Sequence, residues 1–138
     1  MRALVQRTTR AEVRVDGQVV SRIGAGLLVL LGVTHDDDAA TAVKLARKVR
    51  ALRVFPDAEG RMNEPLGRRE VLVVSQFTLY GETRRGNRPS YVAAAPAAIA
   101  EPLYETFRAE LGAAGGVFGA EMEVELVNDG PVTLLLEG

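Results

Sequence analysis

The chain predicts an α+β fold: one domain over residues 1–138, with two main helices against a largely antiparallel, barrel-like β-sheet. Three observations predict it. A length of 138 residues suits a single ordinary core that buries roughly two-thirds of the unfolded surface. Six or seven short stretches carry strand patterning, several joined by tight turn signals. Only two stretches carry helical spacing, and they are set among the strands rather than after each one. Charged residues make up 25% and the hydrophobic set 47%, a globular balance.

From the start, Ala3 and Val5, then Val13 and Val15, alternate with polar neighbours, and Asp16-Gly17 is a hairpin signal before Gln18-Val19-Val20. Residues 2–33 therefore read as a β-meander, with a second turn at residues 24–26. Leu27-Leu28-Val29-Leu30-Leu31 is apolar without alternation, the pattern of a strand buried on both faces. Arg7 and Arg10 read as solvated rim charges unless a site lies beside that end.

Thr34-His35-Asp36-Asp37-Asp38 opens the first helix, one aspartate as N-cap and the others favourable against the helix dipole. Ala42, Leu45, Val49 and Leu52 form one core-facing stripe, and Lys44, Arg47, Lys48 and Arg50 occupy the remainder. Consecutive aspartates fan out, so capping rather than metal binding is expected of them. His35, the single histidine, has no second histidine or cysteine with which to build the usual zinc sites and reads as an exposed bystander.

Val54-Phe55 is a short strand before the turn Asp57-Ala58-Glu59-Gly60, and residues 62–69 read as a connecting loop. Val71-Leu72-Val73-Val74 begins another apolar strand, which turns polar at Ser75-Gln76-Phe77-Thr78. Period-two alternation sets Ser75 and Phe77 on one face and Gln76 and Thr78 on the other, unless a bulge intervenes. Polar side chains ending a buried strand are candidate site residues; a strand running out to solvent is the alternative. Residues 81–90 carry Arg84, Arg85 and Arg88 between Tyr80 and Tyr91. Such a loop can hold phosphate by charge and a base by stacking, or can simply be solvated.

The second helix has Pro96 or Pro102 in its first turn and Ile99, Leu103, Phe107 and Leu111 along one face. Gly112 and the pair Gly115-Gly116 end it. Residues 122–127 and 132–136 are the closing strands, interrupted by Asn128-Asp129-Gly130-Pro131. Pro131 has no N–H to give a ladder, so it belongs on an edge or at a bulge. X-Pro bonds alone take the cis form at appreciable frequency, about 5%. A Gly-Pro pair here presents main-chain carbonyls that a regular strand would hide, or makes a plain turn.

Composition narrows the chemistry. No cysteine is present, which removes disulfides, thiolate nucleophiles and cysteine-ligated metals together. Seventeen basic residues against eighteen acidic ones leave a net charge of −1, so any nucleic-acid contact must be local. The longest apolar run, residues 26–33, is far below the ~20 residues of a membrane span, and the N-terminus is too short and polar for a signal segment. A cytoplasmic protein with no membrane partner is expected. With one histidine, no Gly-rich phosphate loop and no dinucleotide fingerprint, an enzyme here must work with hydroxyls, amides, main chain and arginine, without metal or cofactor.

Ser75-Gln76-Phe77-Thr78-Leu79, followed much later by Asn128-Asp129-Gly130-Pro131-Val132-Thr133, resembles the paired motifs of the D-aminoacyl-tRNA deacylases, also called D-tyrosyl-tRNA deacylases. The resemblance takes in Gln6-Arg7, residues 24–33, Asp57-Ala58-Glu59-Gly60, Arg85-Gly86-Asn87-Arg88-Pro89-Ser90 and Phe118-Gly119-Ala120-Glu121-Met122, nearly the whole chain. Gly115-Gly116 departs from an expected Thr-Gly, Tyr91 from Phe, and residues 93–102 are unusually rich in alanine.

The resemblance implies a homodimeric enzyme without cofactor that hydrolyses the ester between a D-amino acid and the 3′-terminal adenosine of tRNA and rejects L-aminoacyl-tRNA; glycine, with no side chain to be refused, is expected to be a substrate as well. It implies that Ser75, Gln76, Phe77 and Thr78 form the catalytic floor of the pocket. Gly130-Pro131 would be a cis pair reaching across the dimer interface into the other subunit's pocket, with Arg7 and Met122 also at the substrate. A cis bond brings neighbouring Cα atoms to ~2.9 Å, so two carbonyl oxygens can form a wall that accepts hydrogen bonds from an α-ammonium and leaves no room for a side chain.

The main-chain N–H groups of Phe77 and Thr78 are the candidate oxyanion donors. No base is visible to activate Thr78 as a nucleophile, so the preferred route has the adenosine 2′-OH position or activate water. Arg84, Arg85 and Arg88 are the tRNA-binding candidates. The alternatives are a non-catalytic RNA-end binding module built on those arginines, and a structural dimerisation domain in which Gly130-Pro131 makes an interface turn.

Overall fold

The computed structural model describes all residues, Met1–Gly138, and is α+β with a barrel-like mixed sheet. The strands are β1 (Arg2–Val15), β2 (Gln18–Ile23), β3 (Gly26–Gly32), β4 (Phe55–Pro56), β5 (Met62–Glu64), β6 (Glu70–Ser75), β7 (Ala114–Gly115) and β8 (Glu123–Glu137). The helices are α1 (Ala39–Ala51) and α2 (Ala97–Leu111), with a 3-10 turn at Phe77–Tyr80.

β1 organises the sheet. One edge pairs antiparallel with β3 through Arg2–Thr8 and with β2 through Ala11–Val15; the other edge pairs antiparallel with β8 over nearly its whole length. Residues 2–33 are therefore not a meander: β1 lies between its neighbours, and β2 and β3 run end to end along the same edge. The Gly24-Ala25 interruption bends that return strand instead of reversing it, so the two-residue turn at Asp16-Gly17 closes one long hairpin. β6 then joins β3 in parallel, and β7 joins β6 in parallel. Ser21 Oγ donates to the Gly115 carbonyl at 2.6 Å, which ties β2 to β7 and nearly closes the barrel.

Two apolar clusters share β3 and β6. Leu27, Val29, Leu31, Val71 and Val73 pack with the helices, whereas Leu28, Leu72 and Val74 pack with Ala11, Val13 and Ile23. The unalternating apolar runs are thus buried on both faces, as their patterning requires. α1 is capped by Asp38, whose carboxylate accepts from Thr41 N at 2.8 Å, and buries Ala42, Leu45, Ala46 and Val49. Asp37 instead holds Thr34 N and the Met1 ammonium, at 2.7 and 2.8 Å. α2 begins after Pro96 and ends at Gly112, whose left-handed φ of 60° suits glycine.

The buried stripe of α2 is Ala100, Leu103, Tyr104, Phe107 and Leu111, while Ile99 is exposed. Tyr104 carries the inward position instead, because its hydroxyl reaches the Val73 carbonyl at 2.8 Å while its ring stays in the core. Residues 62–69 are not only loop: Met62–Glu64 pairs with Phe55–Pro56 as a short hairpin. His35 is exposed, but its Nε2 lies 2.7 Å from the Val92 carbonyl.

Candidate active site

β6 ends at Ser75, and the expected alternation through Thr78 does not continue. Gln76 N makes the last ladder bond, to Leu31 O at 2.8 Å, and the chain then turns so that Leu79 N returns to Gln76 O at 3.2 Å. The turn packs tightly on β3 at Gly32, where a Cβ would sit 3.1 Å from Leu79 Cβ and 3.2 Å from Gln76 O. Arg2 holds its far end, donating to Leu79 O at 2.8 Å and lying 4.5 Å over the Tyr80 ring. Phe77 and Thr78 occupy the start of this turn, where N–H groups precede any intrahelical acceptor, and no side chain caps them. Gln76 Nε2 donates to Thr78 Oγ1. An amide in that position cannot take a proton from the hydroxyl.

Ser75, Gln76 and Phe77 line a cleft of about 460 Å³. Its walls come from Val33, Val74, the alanine-rich approach to α2 (Ala95, Ala97, Ala100), Phe118-Gly119-Ala120, Met122 and Val124. Phe77 is 55% exposed and meets Tyr91 edge to face at 5.1 Å, so an aromatic pair stands in the open beside the cleft. Of the expected site residues the cleft thus gathers Ser75, Gln76, Phe77 and Met122; Thr78 reaches it through Gln76.

Gly130 and Pro131 are not among its walls. They lie in an excursion of β8, which is one strand and not two: Gln6 opposes Thr133 and Thr8 opposes Asn128, so Arg7 alone faces the four residues from Asp129 to Val132. This is the bulge that the missing N–H of proline demands. The Gly130–Pro131 bond is cis, and both residues are exposed.

A polar clamp fixes the base of the excursion. Arg7 Nε bonds the Asp129 carbonyl at 3.2 Å and its carboxylate at 3.1 Å, while Arg7 Nη1 bonds Val54 O at 2.5 Å. Asn128 Nδ2 donates to Arg7 O and Val132 O, each at 3.0 Å, and Gln6 Nε2 donates to Thr133 Oγ1 at 3.2 Å. Arg7 is therefore no solvated rim charge: its side chain is 12% exposed and both ends of its guanidinium are engaged.

Arg84, Arg85, Arg88, Glu82 and Ser90 surround a separate hollow of about 480 Å³. Main-chain bonds between Glu82 and Ser90, at 2.8 and 2.9 Å, close the loop around it. Arg84 and Glu82 are paired at 2.5 Å, and this bond holds the Glu82 carboxyl at about 2. Arg85 and Arg88 make no ion pair, so the net positive charge of the hollow belongs to them.

Sequence reasoning missed Arg2 and Gly32 as the supports of the turn, and the alanines as a cleft wall. The pairing of Gly32 with residues 76–80 depends on a parallel contact made long after it in the chain. No local pattern encodes that contact.

Residues 4–137 match the family model described as D-Tyr-tRNA(Tyr) deacylase. The chain is 56% identical to the D-aminoacyl-tRNA deacylase of Anaeromyxobacter dehalogenans (strain 2CP-C), covering 99% of this chain and 97% of that one. It is 52% identical to the D-aminoacyl-tRNA deacylase of Thermus aquaticus, covering 99% and 95%. Among solved structures it superposes on the c-Myc DNA unwinding element binding protein with a TM-score of 0.94 at 40% identity, covering 100% and 99%. A probable eukaryotic D-amino acid tRNA deacylase shares the fold, with a TM-score of 0.81 at 16% identity over 98% and 97%. The chain belongs to the D-Tyr-tRNA(Tyr) deacylase family.

Proposed function

We propose that the protein hydrolyses the ester between a D-amino acid and the 3′-terminal adenosine of tRNA, in the cleft floored by residues 75–78. The observation that carries the reading is the uncapped turn that starts at Phe77 in the cleft wall and continues into Thr78, in a chain of this family. Water attacks the ester carbonyl, and the Phe77 and Thr78 N–H groups bind the oxyanion that forms. The C–O3′ bond then breaks, the proton from water passes to the leaving 3′ oxygen, and free amino acid and tRNA result. Thr78 is not the nucleophile, because its only side-chain partner is an amide. The 2′-OH of the same adenosine positions or activates the water, while Ser75 and Gln76 orient the substrate.

The protein acts as a homodimer. Gly130 and Pro131 are exposed at the tip of their excursion and absent from the walls of their own cleft, which fits an element that completes the cleft of a second copy. Their carbonyls accept from the substrate ammonium and crowd out an L side chain. Arg7 serves by holding the excursion, and Met122 by lining the cleft. Arg85 and Arg88 hold phosphate near the acceptor end, with Arg84 engaged by Glu82. Exclusion by main chain makes glycine a substrate as well, since it offers nothing to clash.

A second reading draws on the likeness to a protein named for binding a DNA unwinding element: a nucleic-acid module without catalysis, using the same arginines. Deacylation of D-alanyl-, glycyl- and L-alanyl-tRNA by the purified chain separates the two. Cleavage of the first two and not the third is expected. No cleavage of any would leave the binding module, and resistance of glycyl-tRNA alone would show that the D side chain itself is recognised.

A further inference from the structure

Charge is strongly segregated along the chain. Residues 44–69 carry eight of the seventeen basic side chains against Asp57, Glu59 and Glu64, whereas residues 101–137 carry eight acidic side chains against Arg108 alone. Four of the eight cations are occupied within the fold. Arg47 pairs with Glu110, Arg50 donates to Leu111 O, Arg53 bonds Asn63, and Arg69 bonds Leu66 O and lies over Phe55. Lys44, Lys48, Arg61 and Arg68 are exposed, and their side chains have neither hydrogen bond nor ion pair. The helix dipole accounts for a cation at Lys48 in the last turn of α1, but not for Lys44, Arg61 or Arg68.

These groups belong to one part of the molecule. Arg50 O accepts from Leu66 N at 3.4 Å, and Arg53 Nε donates to Asn63 O at 2.9 Å, so the β4–β5 hairpin and the loop after it are tied to the end of α1. Arg7 bonds both Val54 O, between α1 and the β4–β5 hairpin, and the Asp129 carbonyl at the base of the excursion. The link between α1 and the β4–β5 hairpin therefore lies, through Arg7, beside the base of the Gly130-Pro131 excursion.

We propose that the surface formed by α1 and the β4–β5 hairpin binds the double-helical part of the substrate tRNA. The proposal rests on the reading of the chain as a tRNA deacylase. Single-stranded RNA is held by aromatic stacking as well as charge, and the exposed aromatics Phe77 and Tyr91 stand at the cleft. The sole aromatic of residues 44–69, Phe55, is buried. Unpaired cations without stacking surfaces suit an RNA duplex, which is gripped through its backbone phosphates. In the dimer the excursion carries this surface to the mouth of the neighbouring cleft, beside the strand end of the bound tRNA.

The test is the variant Lys44→Gln, Lys48→Gln, Arg61→Gln, Arg68→Gln, which disturbs no bond within the fold and keeps good helix formers in α1. Three quantities are measured: affinity and its salt dependence for whole tRNA, affinity for a single-stranded oligonucleotide ending in CCA, and cleavage of 3′-D-alanyl-adenosine. Expected are tRNA binding weakened about tenfold or more with a flatter salt dependence, by about one slope unit for each phosphate no longer neutralised, and the two small probes unaffected. Unchanged tRNA affinity, or an equal loss on the oligonucleotide, would overturn the proposal. Failure of the parent to cleave 3′-D-alanyl-adenosine would sink the deacylase reading instead, and a selective loss of tRNA binding by the variant would still support the surface.

Discussion

The hydroxyl of Thr78 and the N–H of Phe77 lie one residue apart, yet different chemistry is assigned to them, and single substitutions separate the two. Phe77 is the first residue of the 3-10 turn, a position where proline is tolerated because its missing N–H has no helical acceptor to lose. Phe77→Pro therefore keeps the turn while deleting one proposed oxyanion donor, and cleavage of D-alanyl-tRNA should fall by about 10²–10³, with Phe77→Leu as the control for the absent ring. Thr78→Val should retain measurable cleavage. An acyl-enzyme trapped on Thr78, or a Phe77→Pro variant no slower than Phe77→Leu, would reverse those roles. In the basic loop, the pairing with Arg84 holds Glu82 at about 2, below the ~4.3 of a free glutamate. A folded-state pKa depressed in this way favours the ordered loop above about pH 4.3, and the benefit is lost as pH falls through about 2. A carboxyl NMR titration should place the Glu82 midpoint near 2; a midpoint in the ordinary range would mean that Arg84 is free for phosphate.

The excursion of β8 is an element-scale device, because its register against β1 can be repaired by deletion. Removing Asp129, Gly130 and Pro131 leaves Val132 opposite Arg7 between the existing Gln6–Thr133 and Thr8–Asn128 pairs, a regular antiparallel ladder. The change removes the Arg7–Asp129 ion pair and adds ladder bonds of about 0.5–1.5 kcal/mol each, so stability should stay within about 1–2 kcal/mol of the parent. Cleavage of D-alanyl-tRNA should be abolished. Denaturant unfolding and the deacylation assay check the two halves, and an active deletion variant would remove the excursion from the site. At this scale the sequence was legible wherever local pattern decides. The Asp38 cap, the doubly buried runs of β3 and β6, the Gly112 stop and the bulge forced by Pro131 all follow from the residues themselves. Pairing order was not legible: a long β1 flanked by β2, β3 and β8 has the same local alternation as a meander. Nor was the 3-10 turn after Ser75, which exists because Gly32 and Arg2, distant in sequence, accommodate and tether it.

For the whole molecule, the two parts of the site that the motifs announced stand apart within one chain, the cleft at the end of β6 and the excursion midway along β8. The motifs name both parts, and the proposed dimer is what would bring them together. A two-fold dimer would let each copy give its excursion to the other's cleft, since an isologous contact is reciprocal. That arrangement has a consequence that a self-contained site lacks. Take one variant defective only in the floor, Phe77→Pro, and another defective only in the excursion, the deletion of residues 129–131. A mixed dimer then contains one site built from the intact cleft of the deletion variant and the intact excursion of Phe77→Pro, and one site with both parts defective. With free exchange of equal amounts, half the dimers are mixed and each has one working site of two, so about a quarter of parental cleavage of D-alanyl-tRNA should return. The measurement is activity of each variant alone and after co-refolding, with dimer formation followed by sedimentation. Recovery near a quarter establishes the exchanged excursion. Activity no greater than the sum of the separate variants, with mixed dimers present, would mean that each cleft is completed from its own chain.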